Sequence, residues 1–496
     1  MFDIRYLLRV MAVLYFSPVI ALAQLTYTNT FLTHLPGSPQ GLSVADFNRD
    51  GKPDVAVVHG TTVSILFNQG AGNFGAQRDT ALDPNSIPVH ALAADVNNDG
   101  KIDLVIAESQ PMQLMTLLGN GDGTFQPPII LSTVNVPRSI ALGDFNNDGK
   151  IDAAVRECPS STTDCDIAVY LGNGTGTFTL DTVLPAPGSS SFSRSLVATD
   201  LNRDGTIDIA TASLGGSSSA PTASFTVFFG NGNGTFRSPV TVPVPLTIPA
   251  NSVASPPTIV AGDFNGEATP DIGVETGSIC GGSACGQSMM NIFIDNGAGG
   301  FTLKQQFPSA SDEGPNSWLA VDLNNDLRTD LARYSGDAHV GSVRTWAGSG
   351  TGTFTSIASP FGTISATFAE ARDLDLDGRH DLVLDGNGLG ESDVDVELNH
   401  NGTPTCAPPP SNILQAKLCT PGATTTSTTF TVKASGNSPV GIKRLELWVD
   451  GTKRGQTLDD QLLTSLTLSQ GIHQVTIVAV DQYIGIAKTT QSVNVQ

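Results

Sequence analysis

The feature that most constrains this chain is a nine-residue stretch, Asp-Phe-Asn-Asn-Asp-Gly-Lys-Ile-Asp at Asp144–Asp152, because it recurs. Oxygen-bearing side chains stand at positions 1, 3, 5 and 9, with glycine at position 6. The pattern returns intact at Asp46–Asp54, Asp95–Asp103, Asp200–Asp208 and Asp373–Asp381, and in altered form at Asp263–Asp271 and Asp322–Asp330. The copies start at 46, 95, 144, 200, 263, 322 and 373, so the spacings are 49, 49, 56, 63, 59 and 51 residues. Periods of this size mark propellers and repeat arrays.

One copy is built for a hard cation. Ca²⁺ takes six to eight oxygen ligands from a loop that can curl around it. Side chains at positions 1, 3 and 5 turn inward, glycine at 6 takes the bend that a Cβ resists, and position 7 offers its backbone carbonyl. The candidate ligand sets are Asp46, Asn48, Asp50, Lys52 and Asp54; Asp95, Asn97, Asp99, Lys101 and Asp103; and Asp144, Asn146, Asp148, Lys150 and Asp152. The fourth and seventh sets are Asp200, Asn202, Asp204, Thr206 and Asp208, then Asp373, Asp375, Asp377, Arg379 and Asp381. Without a cation, clustered carboxylates repel one another by ~1 to ~4 kcal/mol per pair, depending on the local dielectric. Plain Asn/Asp/Gly turns between strands are the simpler alternative, but five intact copies favour metal.

The altered copies depart at the bend. Asp263, Asn265, Glu267 and Asp271 keep the oxygens, but Gly266 comes two places early. Asp322, Asn324, Asp326, Arg328 and Asp330 keep every liganding position, but Leu327 replaces the glycine. These two are expected to bind weakly or to stand as ion-free turns, giving up to seven Ca²⁺ in all. An EF-hand is excluded, because position 12 holds Val57, Ile106, Val155, Thr211, Val274, Arg333 and Leu384 where a bidentate acid is needed. A short β-run follows each loop, as in Asp54-Val-Ala-Val-Val58.

The ends and composition set the context. Residues 1–23 read as an export signal: Arg5 and Arg9, an apolar run from Val10 to Leu22 broken by Pro18, and Ala21-Leu22-Ala23 as a cleavage site. A soluble, exported mature protein is expected, secreted or held at the cell surface or in the periplasm. With 52 Gly and 30 Pro among 496 residues, and no long amphipathic helical period, the chain reads as all-β. The net charge of −22 argues against nucleic acid or an anionic membrane as partner. The six cysteines form three close pairs, Cys158/Cys165, Cys280/Cys285 and Cys406/Cys419, expected as disulfides in an exported protein. No pair has histidines at zinc-ligand spacing.

Each repeat offers four strands. A small-residue strand enters the loop, a second leaves it, and a third ends at a glycine-rich hairpin such as Leu118-Gly-Asn-Gly-Asp-Gly-Thr-Phe125, where a fourth begins. Similar hairpins occur at Leu171–Phe178 and Phe229–Phe236. They open strands, so no helix N-terminus awaits a phosphate. Four strands in each of seven units predict a seven-bladed propeller. The small residues Ala45, Ala94, Gly143, Ala261, Gly262 and Ala320 suit crowded inner strands. Tyr27-Thr-Asn-Thr-Phe31 looks like a fourth strand, and the seventh unit stops after its third at Leu398. The first strand is therefore expected to close the last blade and leave no free edge.

These repeats resemble the FG-GAP / VCBS family, found in integrin α-subunit heads and many exported bacterial proteins. The resemblance covers roughly residues 25–402, within a propeller domain set at 24–403. It implies Ca²⁺ in the loops between first and second strands of each blade, and ligand recognition on the opposite face. Residues 404–411 read as a proline-rich linker. In 412–496, Leu445, Leu447 and Val449 alternate with Glu446, Trp448 and Asp450, before a turn at Asp450-Gly451. That segment is similar to bacterial Ig-like domains, which implies a two-sheet sandwich. His473 has no second metal-type residue at ligand spacing, and a structural role is expected.

No Gly-x-Ser-x-Gly, His-Glu-x-x-His or spaced Cys/His pair is present, so no catalytic constellation is expected. The preferred reading is a non-enzymatic recognition or adhesion protein for an extracellular glycan or protein. A propeller-based polysaccharide lyase or glycoside hydrolase and a purely structural surface protein are the alternatives. The ligand face is expected to carry Gln40, His90, Arg138, Arg194, Asn316, Trp318 and Phe368, together with the Cys158–Cys165 and Cys280–Cys285 loops.

Overall fold

A computed structural model describes residues 25–496 apart from 160–164, 187–195, 218, 249–251, 280–286, 311–315, 336–342, 360–365, 389–390, 402–405, 407, 410–412, 459 and 482–484. The expected signal segment, Arg194 and the Cys280/Cys285 pair lie outside the described residues. The rest is strand and turn. Six four-stranded antiparallel sheets follow in chain order, each made of four consecutive strands. Blade 1, for example, is Pro39–Ala45, Asp54–His59, Thr62–Gly70 and Asn73–Ala81.

The seventh sheet closes the ring. Ala366–Arg372, Asp381–Gly388 and Glu391–Asn399 are completed by Tyr27–Leu35, which pairs antiparallel with Glu391–Asn399. Asn29 Nδ2 reaches the Asp395 and Glu397 carboxylates at 3.2 and 3.1 Å, and Thr26 N donates to Asn401 Oδ1 at 2.6 Å. A propeller with this closure has no open seam.

The interfaces between blades are largely apolar, with a buried Arg333–Glu275 ion pair between blades 5 and 6. Blade 1 meets blade 2 through Ala56, Val58, Ile65, Ala91, Leu104 and Ile106, all essentially buried. Small residues are needed where inner strands converge: a Cβ on Gly41 would lie 2.9 Å from the Ala91 Cβ of the next blade. The first strand of each blade is also a sheet edge facing the channel, and a buried unpaired edge N–H costs about 1–3 kcal/mol. Side chains of the preceding blade satisfy several of these donors. Val44 N donates to Glu370 Oε2 (2.9 Å), Ala93 N to Ser43 Oγ (3.1 Å) and Ile140 N to His90 Nδ1 (3.1 Å).

The C-terminal residues form two further sheets. One holds Gln415–Thr420, Thr429–Asn437 and Gln461–Thr467, and the other Thr424–Thr425, Ile486–Val495, Gly471–Asp481, Ile442–Val449 and Thr452–Thr457. Leu445, Leu447 and Val449 are buried between them with Val432, Ala434, Val475 and Ile477, as alternation requires. At the turn, Asp450 and Gly451 both have positive φ (51° and 77°), the backbone that favours Asp-Gly in tight hairpins. His473 is structural, with Nδ1 2.7 Å from Asp450 Oδ2 and Nε2 3.0 Å from Ser469 O. Cys406–Cys419 ties the preceding linker to this sandwich, and Cys158–Cys165 closes a loop of blade 3.

The sandwich sits on the loop-bearing face of the ring. Gln456 Nε2 donates to Ala268 O at 2.6 Å, and Val440 packs against the core shared by blades 1 and 2. A cavity of about 410 Å³ lies between the two, lined by Glu370, Arg372, His380 and Asp460 among others. Elsewhere on the same contact, burial and then the neighbouring Arg444 push the Lys443 ammonium down to about 8, against the opposing pull of Asp200, Asp208 and Asp481.

Candidate metal loops

The seven loops share one backbone, whether or not the sequence pattern is intact. Position 4 has positive φ in every copy: Arg49, Asn98, Asn147, Arg203, Gly266, Asn325 and Leu376, between 56° and 80°. Position 6 does too, and here the altered copies conform at a cost. Ala268 (58°) and Leu327 (65°) adopt the conformation that glycine takes freely at 51, 100, 149, 205 and 378. A left-handed non-glycine residue costs roughly 1–2 kcal/mol. The early Gly266 therefore supplies position 4, not the bend at 6.

Side-chain geometry explains the spacing. In the third loop, Asp144 Oδ1 and Oδ2 accept from the backbone N–H of Asp148 (3.1 Å) and Gly149 (2.8 Å), and Asn146 Oδ1 also accepts from Asp148 N (3.0 Å). The sixth loop repeats this, with Asp322 accepting from Asp326 N and Leu327 N at 3.1 and 2.7 Å. In the fifth, Asp263 accepts from Gly266, Glu267 and Ala268. These bonds wrap the backbone so that oxygens at 1, 3 and 5 converge.

Position 9 has a second role that the sequence reading missed. Asp54, Asp103, Asp152, Asp208, Asp271, Asp330 and Asp381 are all fully buried. One oxygen accepts from the N–H at position 2 of the same loop, as Asp152 does from Phe145 (2.9 Å). The other accepts from the end of the third strand, as Asp152 does from Gly172 (2.8 Å). The same pair of bonds occurs at Asp381, to Leu374 and Asn399. These aspartates staple loop to hairpin. Burial pushes their carboxyls up, to about 7 at Asp103, Asp152, Asp208, Asp271 and Asp330, about 8 at Asp54 and about 9 at Asp381.

Position 2 also links the blades. Phe47, Phe145 and Phe264 are buried, and their rings meet the hairpin phenylalanines of the next blade, Phe125, Phe236 and Phe354, at 6.2, 6.1 and 5.3 Å. Their carbonyls accept from Gly123, Gly234 and Gly352 at 3.1, 3.1 and 2.7 Å. Gly123 has φ 77°, and a Cβ there would lie 2.3 Å from Phe67. At the closure, Asn68 Nδ2 takes Leu374 O and Asn399 Nδ2 takes Leu323 O instead.

The donor set fits a hard divalent cation. Asp200 Oδ1 and Asn324 Oδ1, at positions 1 and 3, are buried without hydrogen-bond partners. Asp373, Asp375 and Asp377 bring one oxygen each within 4.8 Å of one another. At position 7, Lys52, Lys101 and Lys150 place their ammonium groups 2.7, 3.0 and 3.0 Å from the position-5 carboxylates. The side chain at position 7 thus neutralises position 5, and only its carbonyl is a candidate ligand.

The expected ligand-face residues scatter, and three need correction. Trp318 is buried with Nε1 donating to Glu275 Oε2 (3.0 Å), Phe368 is buried in the core between blades 7 and 1, and His90 is buried with Nδ1 accepting from Ile140 N. Gln40 and Arg138 are half-buried at bulges in the first strands of blades 1 and 3, and Asn316 opens the first strand of blade 6. Exposed apolar side chains lie nearby instead. Ile87 (42% exposed), Met112 (45%) and Val134 (65%) lie at the end of blade 2 away from the loops.

The FG-GAP-like repeat family matches residues 46–106, 95–155 and 160–211, each span enclosing one or two of these loops or the strand beyond. The chain carries FG-GAP-like repeats. No curated protein matches it. Among solved structures, a mutant of the Photorhabdus luminescens Tc holotoxin pore is 11% identical, with a TM-score of 0.37, over 92% of this chain and 20% of that one. The crystal structure of polysaccharide lyase Uly1 is 10% identical, with a TM-score of 0.42, over 75% of this chain and 99% of that one. Likenesses this distant carry no functional argument. This chain spans only a fifth of the toxin chain. The two disulfides, one in blade 3 and one tying the linker to the sandwich, indicate an oxidising environment. Among the described residues no helix is long and apolar enough to cross a membrane.

Proposed function

We propose that this is an exported, calcium-stabilised recognition protein without catalytic activity, in which the FG-GAP-like ring binds a protein ligand on the face away from its loops. The observation that carries the reading is the division of the two faces. The loop face is covered over its centre by the sandwich, which leaves the opposite face for a partner. There, Ile87, Met112 and Val134 are exposed at one end of blade 2, apolar side chains of the kind that protein contact sites carry. Among the described residues, this group offers no aromatic ring on which a sugar could stack, which favours protein over glycan. Calcium would be held by oxygens at positions 1, 3 and 5 and the carbonyl at 7, and it would supply charge neutralisation where several carboxylates meet.

The test is binding of the full chain to arrays of extracellular proteins and glycans, with Met112→Glu and Val134→Asp alongside. The expected result is a protein ligand whose binding falls at least tenfold in the variants while melting temperature is unchanged. A glycan ligand indifferent to both variants would refute the assignment of the face. Release of new polysaccharide ends would refute the absence of catalysis.

A further inference from the structure

The first strands of the blades enclose a channel, and the sandwich stands over one end of it. The cavity there holds about 530 Å³, a size that suits a small-molecule site. Its wall is mainly aliphatic, with Leu42, Leu92, Leu142, Val197, Ile259 and Leu319 coming from blades 1 to 6 in turn. From the sandwich, Leu458 and Lys443 complete the lining.

Lys443 reaches this place through an irregularity in its strand. Strict alternation would set it inward with Leu445, Leu447 and Val449. A bulge between Ile442 and Arg444 breaks that order, so Ile442 packs against the sandwich core and Lys443 turns toward the ring. Bulges re-aim side chains in this way, and here the one re-aimed is an ammonium.

The titratable side chains lining the cavity are His90, Asp263, Glu370 and Lys443, and three of them have partners. His90 Nδ1 accepts from Ile140 N (3.1 Å), Glu370 Oε2 accepts from Val44 N (2.9 Å), and Asp263 accepts from the N–H groups of its own loop. Among the described residues, no hydrogen bond or ion pair reaches the Lys443 ammonium. Asp200, Asp208 and Asp481 act on it only from beyond contact distance. Even lowered to about 8, it keeps its charge at neutral pH. A half-buried cation beside aliphatic surface is costly until an anion meets it.

We propose that this cavity binds a small monocarboxylate with an aliphatic body, its carboxylate on Lys443 and its chain along the wall of the channel. The site requires neither calcium nor a protein partner, so it stands or falls separately from the function proposed above.

The experiment titrates the full chain with decanoate, octanoate, decanol, decylamine and acetate by calorimetry. One decanoate is expected per chain, bound at least tenfold more tightly than decanol, decylamine or acetate. Octanoate should bind more weakly than decanoate, by about fourfold for each methylene removed. Lys443→Met should erase the preference for decanoate over decanol, and Lys443→Arg should keep it. Lys453→Met, which removes a cation paired with Glu446 away from the cavity, should bind decanoate as the wild type does. Equal affinity for decanoate and decanol would overturn the proposal, as would tighter binding of decylamine, which suits Glu370 instead. Acetate binding as tightly as decanoate would replace it with a bare anion site. No binding of decanoate, or an undiminished preference in Lys443→Met at unchanged melting temperature, would also refute it.

Discussion

The third and seventh loops are near-copies in sequence and opposites in setting. Around Asp144–Asp152 the loop is open to solvent at Asp148, carries an amide at Asn146, and lets Lys150 fold onto Asp148. Around Asp373–Asp381 it is covered, carries Asp375 in place of the amide, and faces a carboxylate from another domain. The same nine-residue device therefore serves as a local clip in one place and as part of an interdomain contact in the other. What distinguishes them is burial, which sets how much an uncompensated charge costs.

Chelation should produce the largest effect and should fall unevenly on the two loops. A site of micromolar affinity in millimolar calcium contributes ~4 kcal/mol. Scanning calorimetry with and without chelator should show a large drop in melting temperature. Exchange should rise further at 373–381 than at 144–152, and equal rises would break the comparison.

Removing the staple comes next. Asp152→Ala leaves Phe145 N and Gly172 N buried without acceptors, at about 1–3 kcal/mol each. The loss should persist in chelator, because it concerns backbone donors and not the cation. Asp148→Ala should remove one calcium site yet change stability in chelator by less than about 1 kcal/mol, as expected for an exposed pair with Lys150. Denaturant titrations of both variants in chelator measure the contrast.

The pH dependence of the calcium-free chain is a subtler check. Burial raises the folded-state carboxyls above their unfolded values, so the folded chain holds the extra protons. Stability in chelator should therefore be greatest near pH 4 and fall as pH rises, through about 7 for Asp152 and about 9 for Asp381. Denaturant midpoints measured across that range should decline, and a rise would contradict the burial argument. The smallest effect is expected at Leu327→Gly, where relief of positive φ should gain about 0.5–1 kcal/mol.

Much of the ring was legible because its signals are local. The loop spacing gave the number of blades, the hairpin glycines gave the turns, and the surplus strand at Tyr27 gave the closure. The ligand face was not legible, and the reason is parity. Residues a few places before a loop are fixed in height along the strand, but bulges between Pro88 and His90 and between Ala366 and Ala369 shift the alternation of faces. Phe368 consequently points into the core between blades 7 and 1, and His90 turns to the inner edge of blade 3. Trp318 needs no bulge to be buried: it lies in regular register opposite Arg333 and finds Glu275 in the neighbouring blade, a partner 43 residues away. The seating of the sandwich was equally hidden, since a linker records its reach and not its destination.

The strand at Tyr27–Leu35 has a consequence for how the molecule comes into being. It is among the first parts of the ring to be synthesised, and its partner at Glu391–Asn399 is the last. Until some 360 further residues have followed, that early segment must wait as an unpaired ribbon, exposed to the wrong neighbours. The circle can thus be finished only after its final sector arrives, and a chain cut short anywhere before residue 391 would leave its opening strand with nothing to grip.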